Sequence, residues 1–270
     1  GGIFERVGGI RDKVAVVTGA SRGLGKAIAL DLARAGARLA CVATRAENAA
    51  ATVDEALAAG GRAHAFGCRV ERADEVERLF SEIERIFAPV DILVNNAGIS
   101  KPQPTLEMTE ANWDEHLNVN CKSIFLCSQA AAKQMKHHGG GCIVNIGSIL
   151  GRNAFPATLG YCTSKAATEQ MTRVMAIEWA RFGIRVNCVA PGYVRTDLIE
   201  NLEDEGKLAI EDLERRTPQR RLGTAEEIAS AVRYVASDEA SFMAGEVLVI
   251  DGGWSAFGYY QPRPRPPAGG

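Results

Sequence analysis

The sequence has no Cys-x-x-Cys pair, and its 7 cysteines are an odd number. That pattern supports neither a disulfide framework nor a cysteine-held zinc site. Most cysteines lie inside apolar runs, as Cys41 does in Leu-Ala-Cys-Val-Ala, and read as small buried hydrophobes in a reducing compartment. Histidine is scarce as well. His64, His116, His137 and His138 are the full set, and none has metal-ligand spacing, so no metal is expected. No Gly-x-Ser-x-Gly elbow occurs, which leaves a hydrolase triad without an anchor. Charge of one sign is also lacking. A formal net charge of -2 gives no reason to expect nucleic acid or an anionic membrane as partner. No apolar run reaches the length of a membrane span. Residues 1–13 lack the apolar stretch of a secretory signal. A cytoplasmic protein is expected.

What the chain does have is a rhythm. Short apolar segments alternate with amphipathic ones. Strands are predicted at 14–18, 39–43, 63–70, 91–95, 143–146, 184–189 and 246–250. Helical patterns fall from the glycine turn to residue 35, then at 47–59, 73–87, within 109–138, and at 159–182 and 225–236. Strands alternating with helices imply a parallel sheet covered on both faces. Right-handed crossovers then give a doubly wound, Rossmann-type α/β fold of about seven strands. No linker interrupts residues 13–257, which read as a single domain. Residues 1–12 read as an N-terminal extension, and 258–270 as a Pro- and Gly-rich tail.

The first strand runs into Thr18-Gly19-Ala20-Ser21-Arg22-Gly23-Leu24-Gly25. Glycines here allow a tight turn and close approach of a pyrophosphate. The following helix offers free N–H groups and a positive dipole end to the anion. A glycine triplet alone is weak evidence. At the first strand-to-helix turn of such a pattern it points to a dinucleotide. The second strand ends Val42-Ala43-Thr44-Arg45, with no carboxylate before Glu47 to bind a ribose 2′-hydroxyl. Arg22 and Arg45 are instead placed to pair with a 2′-phosphate. NADP(H) is favoured, with NAD(H) the alternative.

Tyr161 and Lys165 stand four apart in a helical pattern and so share a face. One such pair by chance would be unremarkable. Its chemistry is more telling, because an ammonium beside a phenol stabilises the phenolate. Proton transfer works best when the donor is tuned near the working pH.

With these residues in view, the sequence resembles the short-chain dehydrogenase/reductase family over roughly 13–257. The motifs come in the family's order: Thr-Gly-xxx-Gly-x-Gly at 18–25, Asn95-Asn96-Ala97-Gly98, Asn120, Ser148, Tyr161-Cys162-Thr163-Ser164-Lys165 and Pro191-Gly192. The resemblance implies a small-molecule carbonyl or alcohol substrate. It makes Tyr161 the general acid/base, eased by Lys165, which also holds the nicotinamide ribose. Ser148 would hydrogen-bond the substrate oxygen, and Asn120 would support a water behind the lysine. Asn96 and Val70 would line the cofactor channel, with Gly98 in the turn beside them. Val194 and Thr196 would meet the nicotinamide carboxamide. Singly, each has a plain structural reading: a serine satisfying a backbone group, an asparagine capping, a strand-ending turn.

The chain also departs from the family. Many relatives carry Asp or Asn where Arg69 stands, at a position that contacts adenine. Arg69 is expected to stack on the ring or to point to water. Reductases acting on acyl-carrier-protein substrates carry two docking arginines. The aligned positions are Gly139 and Phe182, which argues against acyl carrier protein as an obligatory partner. Residues 197–222 match the family's lid, acidic at Glu200, Glu203, Asp204 and Glu205 and basic at Arg215, Arg216, Arg220 and Arg221. Phe257, Tyr259 and Tyr260 are expected to bury against a partner chain in a homotetramer or homodimer. The rival readings are an NAD-dependent sugar or polyol dehydrogenase and, more remotely, a cofactor-binding regulatory protein without chemistry.

Overall fold

The computed structural model describes residues 9–196, 199–200, 203, 206 and 209–258. Most of the expected N-terminal extension and C-terminal tail lies outside the described residues. So do Asp204, Glu205, Tyr259 and Tyr260.

Seven strands form one sheet: β1 Val14–Thr18, β2 Arg38–Ala43, β3 Arg62–Gly67, β4 Ile92–Asn95, β5 Gly141–Ile146, β6 Ile184–Pro191 and β7 Val247–Ile250. All pairings are parallel, in the order β3-β2-β1-β4-β5-β6-β7. The described α-helices are α1 Gly23–Arg34, α2 Ala46–Ala58, α3 Ala73–Ile86, α4 Glu110–Leu117, α5 Ser123–Met135, α6 Leu159–Trp179, α7 Ile210–Arg216 and α8 Ala225–Ala236.

The pleat of β1 shows why both faces must be covered. All five of its residues are buried, and successive side chains point to opposite sides. Ala15 and Val17 pack with Ile28 and Leu32 of α1, Val53 of α2 and Val232 of α8. Val14 and Val16 pack with Leu79 and Ile83 of α3, Cys127 and Met135 of α5 and Met175 of α6. This is the doubly wound, single-domain arrangement the alternation implied. From β1 the chain winds outward to β2 and β3. It then returns past β1 to β4 and winds the other way. The turns after β1 and β4 thus diverge at the carboxyl edge and leave a crevice between them.

Local departures from the expected elements have visible causes. β3 stops at Gly67, not at Val70, because the N–H of Arg69 is captured by Glu75 at 2.8 Å and leaves the ladder. β6 runs on to Pro191 because β7 pairs with its last residues, Ala190 with Val249 and Pro191 with Ile250. The helical stretch expected within 109–138 is divided by a π-helical turn, Asn118–Lys122, between α4 and α5. Among the described residues no helix is long and apolar enough to cross a membrane.

Candidate active site

The glycine turn is built by close contacts. Gly19 has φ +66°, where a side chain is strained. A Cβ on Gly25 would stand 2.0 Å from the Gly19 carbonyl oxygen, so α1 can press against the turn only with glycine there. Asn96 locks the other side. Its amide donates to the carbonyls of Thr18 (3.0 Å) and Gly19 (3.1 Å). Its own N–H and that of Ala97 donate to Thr18 Oγ1, both at 3.0 Å. Arg22 at the N-cap of α1 makes no side-chain cap bond, and a Cβ at Gly23 would meet nothing within 4 Å. The first turn of α1 therefore faces open space with unsatisfied donors.

That space is a crevice of about 510 Å³. The turn residues Gly19, Ser21, Arg22, Gly23, Leu24 and Gly25 line it, with Thr44, Val70, Asn96, Gly98 and Thr196. Arg45 does not. It is exposed at the N-cap of α2. A cradle that admits no Cβ, an uncapped helix start and an arginine at the rim fit the pyrophosphate of a dinucleotide. Sequence reasoning missed Glu71, a carboxylate on the same wall. Arg69 lines the wall too; its side chain is half exposed, as one alternative expected, but it is also paired. Its Nε and Nη2 donate to Glu75 Oε1 at 2.9 and 2.7 Å. The backbone N–H and guanidinium of Arg69 hold the Glu75 carboxyl below the usual carboxylate range.

The second half of the site is assembled on α6. Lys165 is buried, and its Nζ donates to the Ile146 carbonyl at the end of β5 (2.8 Å) and lies 5.6 Å from the centre of the Tyr161 ring. Tyr161 is half-buried, one helical turn earlier. Ser148 follows β5, is buried, and accepts from the Leu150 N–H at 3.1 Å. Its own O–H has no acceptor among the described residues. Asn120, fully buried in the π turn, ties this cluster to the crevice. Its Oδ1 accepts from Ile99 N–H (2.7 Å), and its Nδ2 donates to the Ile99 carbonyl (2.9 Å) and to Ser164 Oγ (3.1 Å). Ser164 Oγ donates to the Tyr161 carbonyl (2.7 Å). Both side-chain N–H groups of Asn120 are thus used within the protein.

A third wall stands beyond Ser148. Arg152 Nε donates to Glu169, whose carboxylate is 6% exposed, so the 148–153 loop is anchored to α6 through a buried acid. Tyr193, after Pro191-Gly192, has its ring 4.8 Å from that of Trp254. Burial pushes the Tyr193 hydroxyl pKa up, with the electrostatic influence of Cys162 and Tyr161 adding to the effect. Asn153 donates to Ser255 Oγ at 3.0 Å. Val194 is buried and bridges to Gly223. Burial pushes the thiols of Cys41, Cys68 and Cys188 up to about 12 and that of Cys142 to about 11. Such shifts favour the protonated thiol, the less nucleophilic form. The described residues contain no cluster of His, Cys, Asp and Glu able to hold a metal.

Comparison with known proteins places the chain among oxidoreductases. A family model described as enoyl-(acyl carrier protein) reductase matches residues 19–255. The 3-oxoacyl-[acyl-carrier-protein] reductase of Staphylococcus epidermidis is 37% identical over 243 residues, covering 90% of this chain and 98% of the relative. A short-chain type dehydrogenase/reductase of Picea abies is 39% identical over 250 residues, covering 89% and 92%. Among solved structures, a short-chain type dehydrogenase/reductase from Mycobacterium marinum superposes with TM-score 0.87 at 38% identity, covering 92% of this chain and 97% of that one. A protein from Agrobacterium tumefaciens, provisionally assigned as a 2-deoxy-D-gluconate 3-dehydrogenase and solved with NADP bound, gives 0.85 at 37%, covering 92% and 98%.

Proposed function

The chain belongs to the short-chain dehydrogenase/reductase family, and we propose that it interconverts a ketone and a secondary alcohol with NADP(H), using Tyr161 as general acid/base. It is an NAD(P)-dependent oxidoreductase by membership. This reading takes residues 13–257 as the catalytic domain and 197–222 as its lid. One observation carries it. Asn120 fastens the crevice wall at Ile99 to Ser164, in the helical turn that separates Tyr161 from Lys165. A dinucleotide in the crevice would therefore present its far end to those two side chains.

The bound nicotinamide would supply the hydride; the protein supplies position and protons. Ser148, with its O–H free, donates to the carbonyl oxygen. Tyr161 donates to the same oxygen and gives up its proton as alkoxide character develops, where placed donors contribute most. Lys165 brings a buried positive charge beside the phenol, its Nζ held by Ile146. Asn120, with its amide fully engaged, acts by position. Val194 and Thr196 would steer the carboxamide end.

The preference for NADP(H) rests on Arg22 at the crevice rim and on Thr44, rather than a carboxylate, at the end of β2. The Agrobacterium neighbour was solved with NADP. Arg45 would join Arg22 at the 2′-phosphate. A second reading, an NAD-dependent sugar or polyol dehydrogenase, is favoured by Glu71 on the crevice wall and by the sugar-acid name of that same neighbour. An acyl-carrier-protein substrate, suggested by the Staphylococcus relative, is disfavoured by Gly139 and Phe182 at the docking positions.

The deciding experiment follows oxidation of NADPH, and separately of NADH, across β-ketoacyl thioesters, ketoses and simple ketones. Turnover with NADPH that disappears in Tyr161→Phe, while NADPH binding persists, is the expected result. Equal efficiency with NADH overturns the reading of Arg22 and Arg45. Substantial turnover in Tyr161→Phe removes that residue from its role. Tight cofactor binding without turnover of any ketone or alcohol returns weight to a non-catalytic protein.

A further inference from the structure

The buried acid of α6 is held by two cations from different places. The Glu169 side chain is 6% exposed, and both Arg152 and Arg173 reach it. Arg173 stands one turn further along α6, and its Nη2 donates to Glu169 Oε2 at 3.2 Å. Arg152 comes from outside the helix, and its Nε donates to Oε1 and Oε2 at 3.0 and 2.9 Å. A buried carboxylate needs a partner charge, and Arg173 already supplies one within the helix. The second ion pair serves a different end. It joins α6 to the segment that carries Ser148.

That segment transmits position. The Ser148 carbonyl accepts from the Gly151 N–H at 2.9 Å, and the Ile149 carbonyl accepts from the N–H groups of Arg152 (3.1 Å) and Asn153 (2.8 Å). The Leu150 N–H donates to Ser148 Oγ at 3.1 Å. From Arg152 back to the serine hydroxyl the chain is thus one hydrogen-bonded turn. The turn lies flush on α6: a Cβ at Gly151 would stand 3.0 Å from the Lys165 carbonyl oxygen and 3.1 Å from Glu169 Oε1. Tyr161, Lys165 and Glu169 follow one another at four-residue steps along one face of that helix. We infer that the Arg152–Glu169 pair is a positioning device: it holds the Ser148 hydroxyl in register with Tyr161, so that both reach the same substrate oxygen. The inference rests on the proposed ketone–alcohol chemistry and adds to it what sets the spacing of the two donors. Neither member of the pair needs to touch substrate. Donors placed where charge develops act in the transition state, so a loosened serine lowers kcat and leaves KM and cofactor binding nearly as they were.

The test compares the two arginines in the full chain. NADPH oxidation is followed with ethyl 3-oxobutanoate, the N-acetylcysteamine thioester of 3-oxobutanoate, fructose and 2-butanone, and constants are taken with whichever the wild type reduces fastest. Arg152→Ala is expected to lower kcat about 10- to 100-fold, the effect of a donor misplaced by about 1 Å, with KM little changed. Its affinity for NADPH, read by quenching of protein fluorescence, should equal that of wild type. Arg173→Ala takes the other cation from the same acid without touching the turn, and should keep kcat near the wild-type value. Arg152→Lys retains a cation without the fork and should recover part of the loss. Gly151→Ala keeps every charge but lifts the turn from α6, and should reproduce the fall in kcat; it also covers an Arg152→Ala variant that does not fold. An ion pair of purely structural role would lower the unfolding midpoint in both arginine variants and kcat in neither. Equal losses of kcat in the two arginine variants, full kcat in Arg152→Ala or in Gly151→Ala, or a loss confined to KM overturns the inference and leaves the ketone–alcohol reading standing. Reduction of none of the four probes by the wild type would instead strike that underlying reading.

Discussion

A single methyl group at residue 25 tests the cofactor site. An alanine there would thrust its Cβ to 2.0 Å from the Gly19 carbonyl oxygen and 2.5 Å from Asn96 Nδ2. The turn would have to open, and the Asn96 clamp with it. Overpacking of this kind costs about 1–3 kcal/mol. Gly25→Ala is expected to weaken NADPH binding roughly 10- to 100-fold, read by quenching of protein fluorescence. Affinity within twofold of wild type would mean that the turn does not hold the cofactor. At this scale the sequence was legible where spacing carries the meaning. Tyr161 and Lys165 four apart, and glycines at 19, 23 and 25, could be placed before any coordinates. It was opaque where a side chain reaches a backbone whose path depends on the fold. The grip of Glu75 on Arg69 is such a case, as is that of Asn120 on Ile99, because each depends on a turn whose shape no residue type announces. Arg216 was visible only as part of a basic run; its contacts with two rings come from residues 38 and 41 positions away in sequence.

The elements were read more securely than their ends. The strand starting at Val14 matches throughout, because an unbroken apolar run bounded by glycine has one simple reading. The division of the 109–138 stretch could not be seen, since a π turn leaves the helical pattern of residue types nearly unchanged. The short α7 escaped for lack of length. One helix start is tested readily. Thr224 accepts from the Glu227 N–H, Glu227 accepts from the Thr224 N–H, and Arg221 donates to both carboxylate oxygens. Thr224→Ala should cost about 1 kcal/mol in urea unfolding. The Arg221 and Thr224 hydrogen bonds hold the Glu227 carboxyl at about 2 against an ordinary 4.5. The folded value lies below the unfolded one, so the stabilisation is complete above pH 4.5 and is lost as pH falls through about 2. Solvent exposure keeps its size small. Glu227→Gln should therefore be less stable than wild type at pH 7, with the gap closing between pH 4.5 and 2. A gap that stays constant across that range would deny the carboxylate its part in the cap.

For the molecule as a whole, the alternation of strands and helices was enough to foresee the sheet, because helices on both faces leave few other solutions. Phe257, expected against a partner, has the Arg216 guanidinium 5.2 Å from its ring centre and keeps part of its surface exposed for one. The exposed apolar side chains include Phe125 on α5, and Val174 and Ile177 on α6, with Ile177 79% exposed. A proposed homotetramer would cover such side chains, since exposed apolar surface, where it is large and contiguous, marks association. Ile177→Asp is expected to lower the mass measured by light scattering after size exclusion, while the circular dichroism spectrum is retained. An unchanged mass would move the interface away from this face.

The strand order has a further consequence during synthesis. β1 leaves the ribosome before the other six strands, yet it lies within the sheet and must wait for β4 before its second edge is covered. The walls of the crevice come from the turns after those two strands, so they can meet once Asn96 has emerged. Tyr193 and Trp254 follow Asn96 by 97 and 158 residues. A nascent chain would thus acquire the means to hold a dinucleotide well before it has anything to reduce, and the cofactor could be its first structural partner.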